Sequence, residues 1–302
     1  PALRRKTEAA LPDDLVEHAR DLARKSLAPR TREEYARCWA KFEGWCTANG
    51  REPFPADLAT VAGYIAWLAR GQRNGLPLAA ATINQALAAI KFAHREAGHE
   101  LNTKHPTLQR VWTGARREIA TKRTIRRGSP ILSDELRQML ELLSVDTLRD
   151  ARDAALLALG WGAARRRIEL VGLDWKQLGT GTGVLTIDAN GLLVTLMTSK
   201  TKQEGADQIL VPRLHVPFLC SKVEAWIALA KIAPGSPVFR PVWGSRAGGH
   251  RLGEERLHFR SVPRIVKRRV GLLVKARNAK SRKKMSRAEI AAMVDAFAGH
   301  SL

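Results

Sequence analysis

Cysteine, tyrosine and acidic residues are scarce in this chain, and each scarcity removes a class of protein. The three cysteines, Cys38, Cys46 and Cys220, form no Cys-x-x-Cys pair and no Cys/His cluster. A disulfide framework and a zinc site are therefore excluded, and a reducing compartment is expected. The two tyrosines, Tyr35 and Tyr64, both lie in the first quarter of the chain. No apolar run approaches the ~18 residues of a membrane span, and Pro1 to Asp14 lacks the apolar core of a secretory signal. A cytoplasmic, nucleoid-associated protein is expected. The chain does not begin with Met and stops inside an apparent motif, so it is expected to be a fragment at both ends.

Against 29 acidic residues stand 51 Lys and Arg, a net charge of +22 over 302 residues. So cationic a chain attracts polyanions, nucleic acid above all, although charge alone does not separate DNA from RNA. The positive charge is concentrated. Residues 104–127 carry Lys104, Arg110, Arg116, Arg117, Lys122, Arg123, Arg126 and Arg127 against Glu118 alone, and Gly128-Ser129-Pro130 follows. Residues 262–287 hold eleven Lys or Arg, among them Lys267, Arg268 and Arg269, and no acid. Together with Arg32, Lys91, Arg95, Arg116, Arg117, Arg126 and Arg127, these three are the candidate DNA contacts. A merely flexible connector is the alternative for the first stretch, and a solvated face or loop for the second.

With 45% hydrophobic residues the chain can build cores, and its length suggests two domains. Residues 12–121 read as helix after helix. Pro12-Asp13-Asp14 opens one with Leu15, Ala19, Leu22 and Ala23 on one face. Thr31 with Glu34 has the spacing of a capping box and opens a second. Tyr35, Cys38, Trp39, Phe42, Trp45 and Cys46 then recur at helical steps, as core or as a platform for stacked bases. Further helices are expected over 56–70, 79–98 and 107–121. His94 and His99 read as surface or helix-end residues. A basic linker over 122–132 separates this domain, 1–121, from a second over 133–302. There, helices at 133–144 and 150–160 precede strands at 184–188, 192–198 and 208–211, the first two joined by a turn at Ala189-Asn190-Gly191. Helix returns at 216–231, after the Pro241–Gly253 stretch, and near 286–298. The fold class is mainly α, with a helical N-terminal bundle and a mixed α+β domain carrying a small antiparallel sheet.

Breaking a phosphodiester without a metal requires fixed cations around the phosphate and a proton donor for the leaving oxygen. Three segments offer them: Gly162-Ala-Ala-Arg-Arg-Arg-Ile-Glu-Leu-Val-Gly-Leu-Asp-Trp175, Thr198-Ser-Lys-Thr-Lys-Gln-Glu-Gly205 and Phe297-Ala-Gly-His-Ser-Leu302.

In these segments the chain resembles the tyrosine recombinase (phage integrase) family. The family's Gly-x-x-Arg-x-x-Glu-Leu pattern places its catalytic arginine three residues before the glutamate. With Glu169 as that supporting glutamate the resemblance implies Arg166, ahead of Arg165 and Arg167. Ser199-Lys200-Thr201 matches the hairpin lysine, implying Lys200 as general acid with Lys202 as competitor. Gly299-His300-Ser301-Leu302 matches the start of the second box, implying His300. Thr31, Tyr35, Trp39 and Phe42 are similar to the second helix of the family's SAM-like core-binding bundle, which makes Tyr35 a core residue. The resemblance further implies a clamp around double-stranded DNA, strand exchange through a 3′-phosphotyrosyl intermediate, tetramers on two DNA sites, and no metal or nucleotide cofactor. The second arginine, the third-box His or Trp and the nucleophilic tyrosine would follow Leu302. The segment 271–287 is longer and more basic than the family pattern leads one to expect. A type IB topoisomerase-like enzyme and a non-catalytic DNA-binding protein remain as other readings.

Overall fold

The computed structural model describes residues 12–71, 76–122, 128–197, 206–245 and 249–297. The chain divides into two compact units, Pro1–Ile125 and Arg126–Leu302. Among the described residues no helix is long and apolar enough to cross a membrane.

The first unit is helical: α1 (Asp13–Lys25), α2 (Pro29–Ala48), α3 (Leu58–Arg70), α4 (Ala80–Glu96) and α5 (Pro106–Lys122). Helix α2 starts two residues before Thr31 because Pro29 sits at its first turn, where a missing N–H costs nothing. Asp57 caps α3 by accepting the Thr60 N–H at 2.6 Å. The aromatic stripe of α2 is core: Phe42 and Cys46 are fully buried, and Trp39 and Trp45 pack partly buried beside them. Phe42 meets Tyr64 of α3 edge-on at 5.0 Å, the arrangement that ring quadrupoles favour.

In this unit one expectation is met in part, His94 lying in the last turn of its helix but not at the surface, and another fails. His94 is buried, not superficial; its Nε2 accepts the Ala56 N–H at 2.9 Å, so Nδ1 carries the proton and donates to the Ile90 carbonyl at 2.8 Å. It joins α4 to the loop before α3, and a ring that satisfies two backbone groups can be buried without penalty. Leu15 and Leu22 of α1, placed on the helix's apolar face, are about half exposed.

The second unit is built on α7 (Leu148–Ala163), which packs mainly against α9 (Pro217–Leu229). Twelve of the sixteen α7 residues are buried, so it is a core helix on all sides rather than an amphipathic one. Each fully buried leucine of the run Leu156, Leu157 and Leu159 contributes about 2 kcal/mol of apolar transfer. A four-stranded sheet, in the order β1 (Leu173–Trp175), β2 (Gly183–Ile187), β3 (Gly191–Leu196), β4 (Asp207–Pro212), lies alongside. It is antiparallel except at β1, which pairs parallel to β2 with Leu173 opposite Gly183. The Asn190-Gly191 turn forms as expected. At Gly191, φ is 142° and a Cβ would run into the Val211 carbonyl.

The remaining elements are α6 (Ser133–Glu141), α8 (Arg167–Val171), the hairpin β5 (Val242–Ser245) and β6 (Gly249–Leu252), α10 (Ser261–Lys280) and α11 (Arg287–Asp295). The segment expected as an insertion from Gly271 is thus continuous helix as far as Lys280. Val262, Ile265, Val266, Val270, Leu273 and Val274 bury one face of α10, and most of its cations line the other.

Candidate active site

The turn from α7 into α8 is held from three directions. The last turn of α7 lies so close to β4 and α9 that a Cβ on Gly162 would sit 3.0 Å from Val211 and 3.1 Å from Leu219. Ala164 ends the helix in the left-handed region, at φ 47°. Arg165, its side chain 13% exposed, donates to the Ala163 carbonyl at 3.0 Å and pairs with Asp207 at 2.7 Å. That bond ties the turn to the first residue of β4.

Arg166 follows. Its backbone N–H donates to Glu169 Oε2 at 3.1 Å, and its Nη1 donates to Glu169 Oε1 at 2.8 Å. One buried carboxylate therefore grips both ends of the arginine. The arginine side chain is still 45% exposed, and its other N–H groups are directed at no protein partner among the described residues. Such a fork, oriented at one edge and open at the other, suits two oxygens of a phosphate. Arg167 instead lies over the Phe259 ring at 5.6 Å.

The left-handed Ala164 is exposed, and only its own Cβ opposes the turn. Ala164→Gly is expected to raise the unfolding free energy by about 0.5–1 kcal/mol in urea titration. A loss of stability would show that the turn carries no strain.

The other two candidates lie outside the described residues. Lys200 belongs to the connection between β3 and β4, whose described flanks are joined where Leu196 pairs with Asp207. Through Asp207, Arg165 brings the Arg166 turn to the foot of that connection. His300 lies three residues beyond Phe297, which packs against the core of this unit.

No protein-family model matches this chain. It is 32% identical over 255 residues to an integrase/recombinase xerD homolog of Selenomonas ruminantium, an alignment covering 82% of this chain and 69% of that protein. The chain belongs to the tyrosine recombinase family. It is also 26% identical over 248 residues to recombinase cre of Escherichia phage P1, covering 74% of this chain and 64% of that protein. Over 161 residues it is 31% identical to tyrosine recombinase slr0733 of Synechocystis sp., covering 51% and 49%. The chain thus spans between about half and two thirds of the length of these recombinases.

The cations assigned to DNA by sequence fall into three groups. Arg32, Lys91, Arg95, Arg116 and Arg117 are exposed on the helices of the first unit. Lys91 and Arg95, one turn apart on α4, line an open cleft with Lys104. Arg126 and Arg127 lie outside the described residues. On α10, Arg268 is exposed, Lys267 pairs with Asp295 at 2.8 Å, and Arg269 must be corrected. Arg269 is 4% exposed and contacts Asp150 at 2.7 Å and Asp153 at 2.6 Å, so no duplex can reach it. Arg152 grips the same Asp153 at 2.6 Å, which completes a buried cluster of two arginines and two aspartates that sequence reasoning missed. The pattern did carry the signal, since Arg269 occupies a position on the apolar stripe of α10.

A second missed network flanks α8. Arg256 donates to the Val171 carbonyl at 2.9 Å and to Asp174 at 2.5 Å, and Asp174 also accepts the N–H groups of Gly179 and Gly181. It clips the end of α8, and with it Glu169, to β1.

Both tyrosines of this recombinase chain lie on helices of the first unit. Tyr64 is 2% exposed, and burial pushes its hydroxyl up to about 12, so it stays protonated at neutral pH. Tyr35 packs its ring against Phe92 at 5.5 Å.

Proposed function

We propose that this chain is the DNA-binding and phosphate-activating part of a site-specific recombinase, serving integration-type strand exchange on double-stranded DNA in the cytoplasm, at the nucleoid. The observation that carries the reading is the Arg166 side chain, held by Glu169 yet almost half exposed beside the foot of the Lys200 connection.

In this mechanism Arg166 donates to the non-bridging oxygens of the scissile phosphate and stabilises the charge that develops there. A tyrosine oxygen attacks phosphorus as its hydroxyl proton passes to solvent, the bond from phosphorus to the 5′-oxygen breaks, and Lys200 gives that oxygen a proton. His300 hydrogen-bonds at the phosphate. The 3′-phosphotyrosyl bond keeps the strand activated, and the reverse attack by a 5′-hydroxyl rejoins it. On this reading the attacking tyrosine is neither Tyr64, which is buried, nor Tyr35, which packs against Phe92. Assembly as a tetramer on two DNA sites belongs to the same reading.

The test uses nicked duplexes from which the cleaved 5′ fragment diffuses away, trapping the covalent complex. The 302-residue chain and a form extended to the next stop codon are compared on denaturing gels. A covalent protein–DNA band from the extended form alone is expected. Salt-sensitive DNA binding with no band from either form would leave a non-catalytic DNA-binding protein instead.

A further inference from the structure

A second cluster of arginines lies at the other end of α7 from Arg166. Arg149 and Arg152 on the first turns of α7, Arg264 and Arg268 on α10, and Trp243 of β5 line an open cleft of about 280 Å³. From Arg149 and Arg152 to Ala163 the axis of α7 rises by roughly 17–21 Å. This cleft is a different place from the Arg166 turn.

Its charge is unbalanced. The two acids of α7, Asp150 and Asp153, are engaged by Arg269 and Arg152. Arg149 donates to the Gly244 carbonyl, and Arg264 donates to the Ser261 hydroxyl at 3.3 Å. Among the described residues no carboxylate pairs with Arg149, Arg264 or Arg268. Burial, and behind it the charges of Arg269, Arg149 and Arg152, hold the Arg268 guanidinium below its ordinary value against the opposing pull of Asp153. Like charges gathered in a partly desolvated cleft repel one another until an anion joins them. Guanidinium forks select oxyanions with several acceptor oxygens. Trp243, half exposed on the cleft wall, adds an indole against which a sugar can pack.

We propose that this cleft is a second phosphate site, taking one backbone phosphodiester of bound duplex DNA, with its deoxyribose against Trp243, well away from the scissile phosphate. The site anchors the duplex and leaves the chemistry to Arg166. Its occupant rests on the DNA-binding reading above, while the cleft and its charges do not.

The test is binding of a generic duplex to the 302-residue chain across a salt series, for the wild type and for Arg264→Ala with Arg268→Ala. Loss of one phosphate contact lowers the slope of log K against log salt by about 0.9, and lowers affinity about tenfold at 0.1 M salt. Both changes are expected in the double variant, with its melting temperature unmoved. If the alanine pair melts early, Arg264→Gln with Arg268→Gln keeps the side-chain bulk and carries the same expectation. An unchanged slope in a folded variant overturns the proposal. If inorganic phosphate binds saturably and is lost in the variant while the duplex slope is retained, the cleft serves a free anion, and the DNA assignment fails. A wild-type chain that binds no duplex at any salt overturns the DNA-binding reading itself, and this assignment with it.

Discussion

Arg166→Ala is expected to slow covalent strand cleavage by about two to three orders of magnitude while duplex affinity stays within about threefold. The asymmetry follows from the geometry. One guanidinium among the many cations of a +22 chain adds little to overall DNA affinity. In the proposed role, however, it meets charge that builds up on the scissile phosphate in the transition state. The measurement is single-turnover formation of the covalent band, in a form of the protein that includes the nucleophile. Glu169→Gln should fall between wild type and Arg166→Ala, because the amide still accepts one of the two arginine bonds but lacks the charge that orients the fork. If Arg166→Ala cleaves at the wild-type rate, Arg165 or Arg167 is the phosphate ligand. Arg165 would then have to leave Asp207, and Arg167 its place on Phe259.

Asp153→Ala is expected to cost the second unit about 3–5 kcal/mol. Asp153 is fully buried and receives Arg152 at 2.6 Å on one oxygen and Arg269 at 2.7 Å on the other. Its removal leaves two guanidinium groups in the core, of which Arg269 keeps its contact with Asp150. A domain of this size holds only about 5–15 kcal/mol in all, so the variant should melt on the order of 10 °C lower or fail to accumulate. Urea unfolding of the purified variant gives the number. A loss below about 1 kcal/mol would mean that water already reaches the cluster and screens it.

What could be read from the sequence, and what could not, divides along physical lines. Helices with a long apolar period were legible, and so was the Asn190-Gly191 turn, whose backbone geometry few residue pairs satisfy. Strand β1 was not, because three consecutive buried residues show no alternation and the strand exists only through its pairing with β2. The hairpin β5–β6 was hidden by its brevity and by its glycines: four residues per strand are too few for a period, and Gly244 and Gly249 look like loop. At the site, Arg166 and Glu169 were implied by the resemblance, and the structure adds the two hydrogen bonds between them. The roles that separate Arg165 from Arg166 depend on Asp207, some forty residues away, and no local pattern reveals that. Arg269 was misread because charge was counted before position. A cation on the seam between Val266 and Val270 is carried inward with its neighbours, and a pair of aspartates one turn apart on α7 receives it there. His94 was misread for the mirror reason, a polar residue near a helix end whose partners are backbone groups invisible in a string of letters.

The burial of α7 also bears on how the molecule fluctuates. Amides in a helix enclosed on every side exchange with solvent only when the whole unit opens, whereas α11, with no buried residue, can fray alone. The Arg166 turn is continuous with the C-terminal end of α7. Breathing at the periphery therefore leaves the arginine where it was, and the event that would displace it is the same rare one that unfolds the unit.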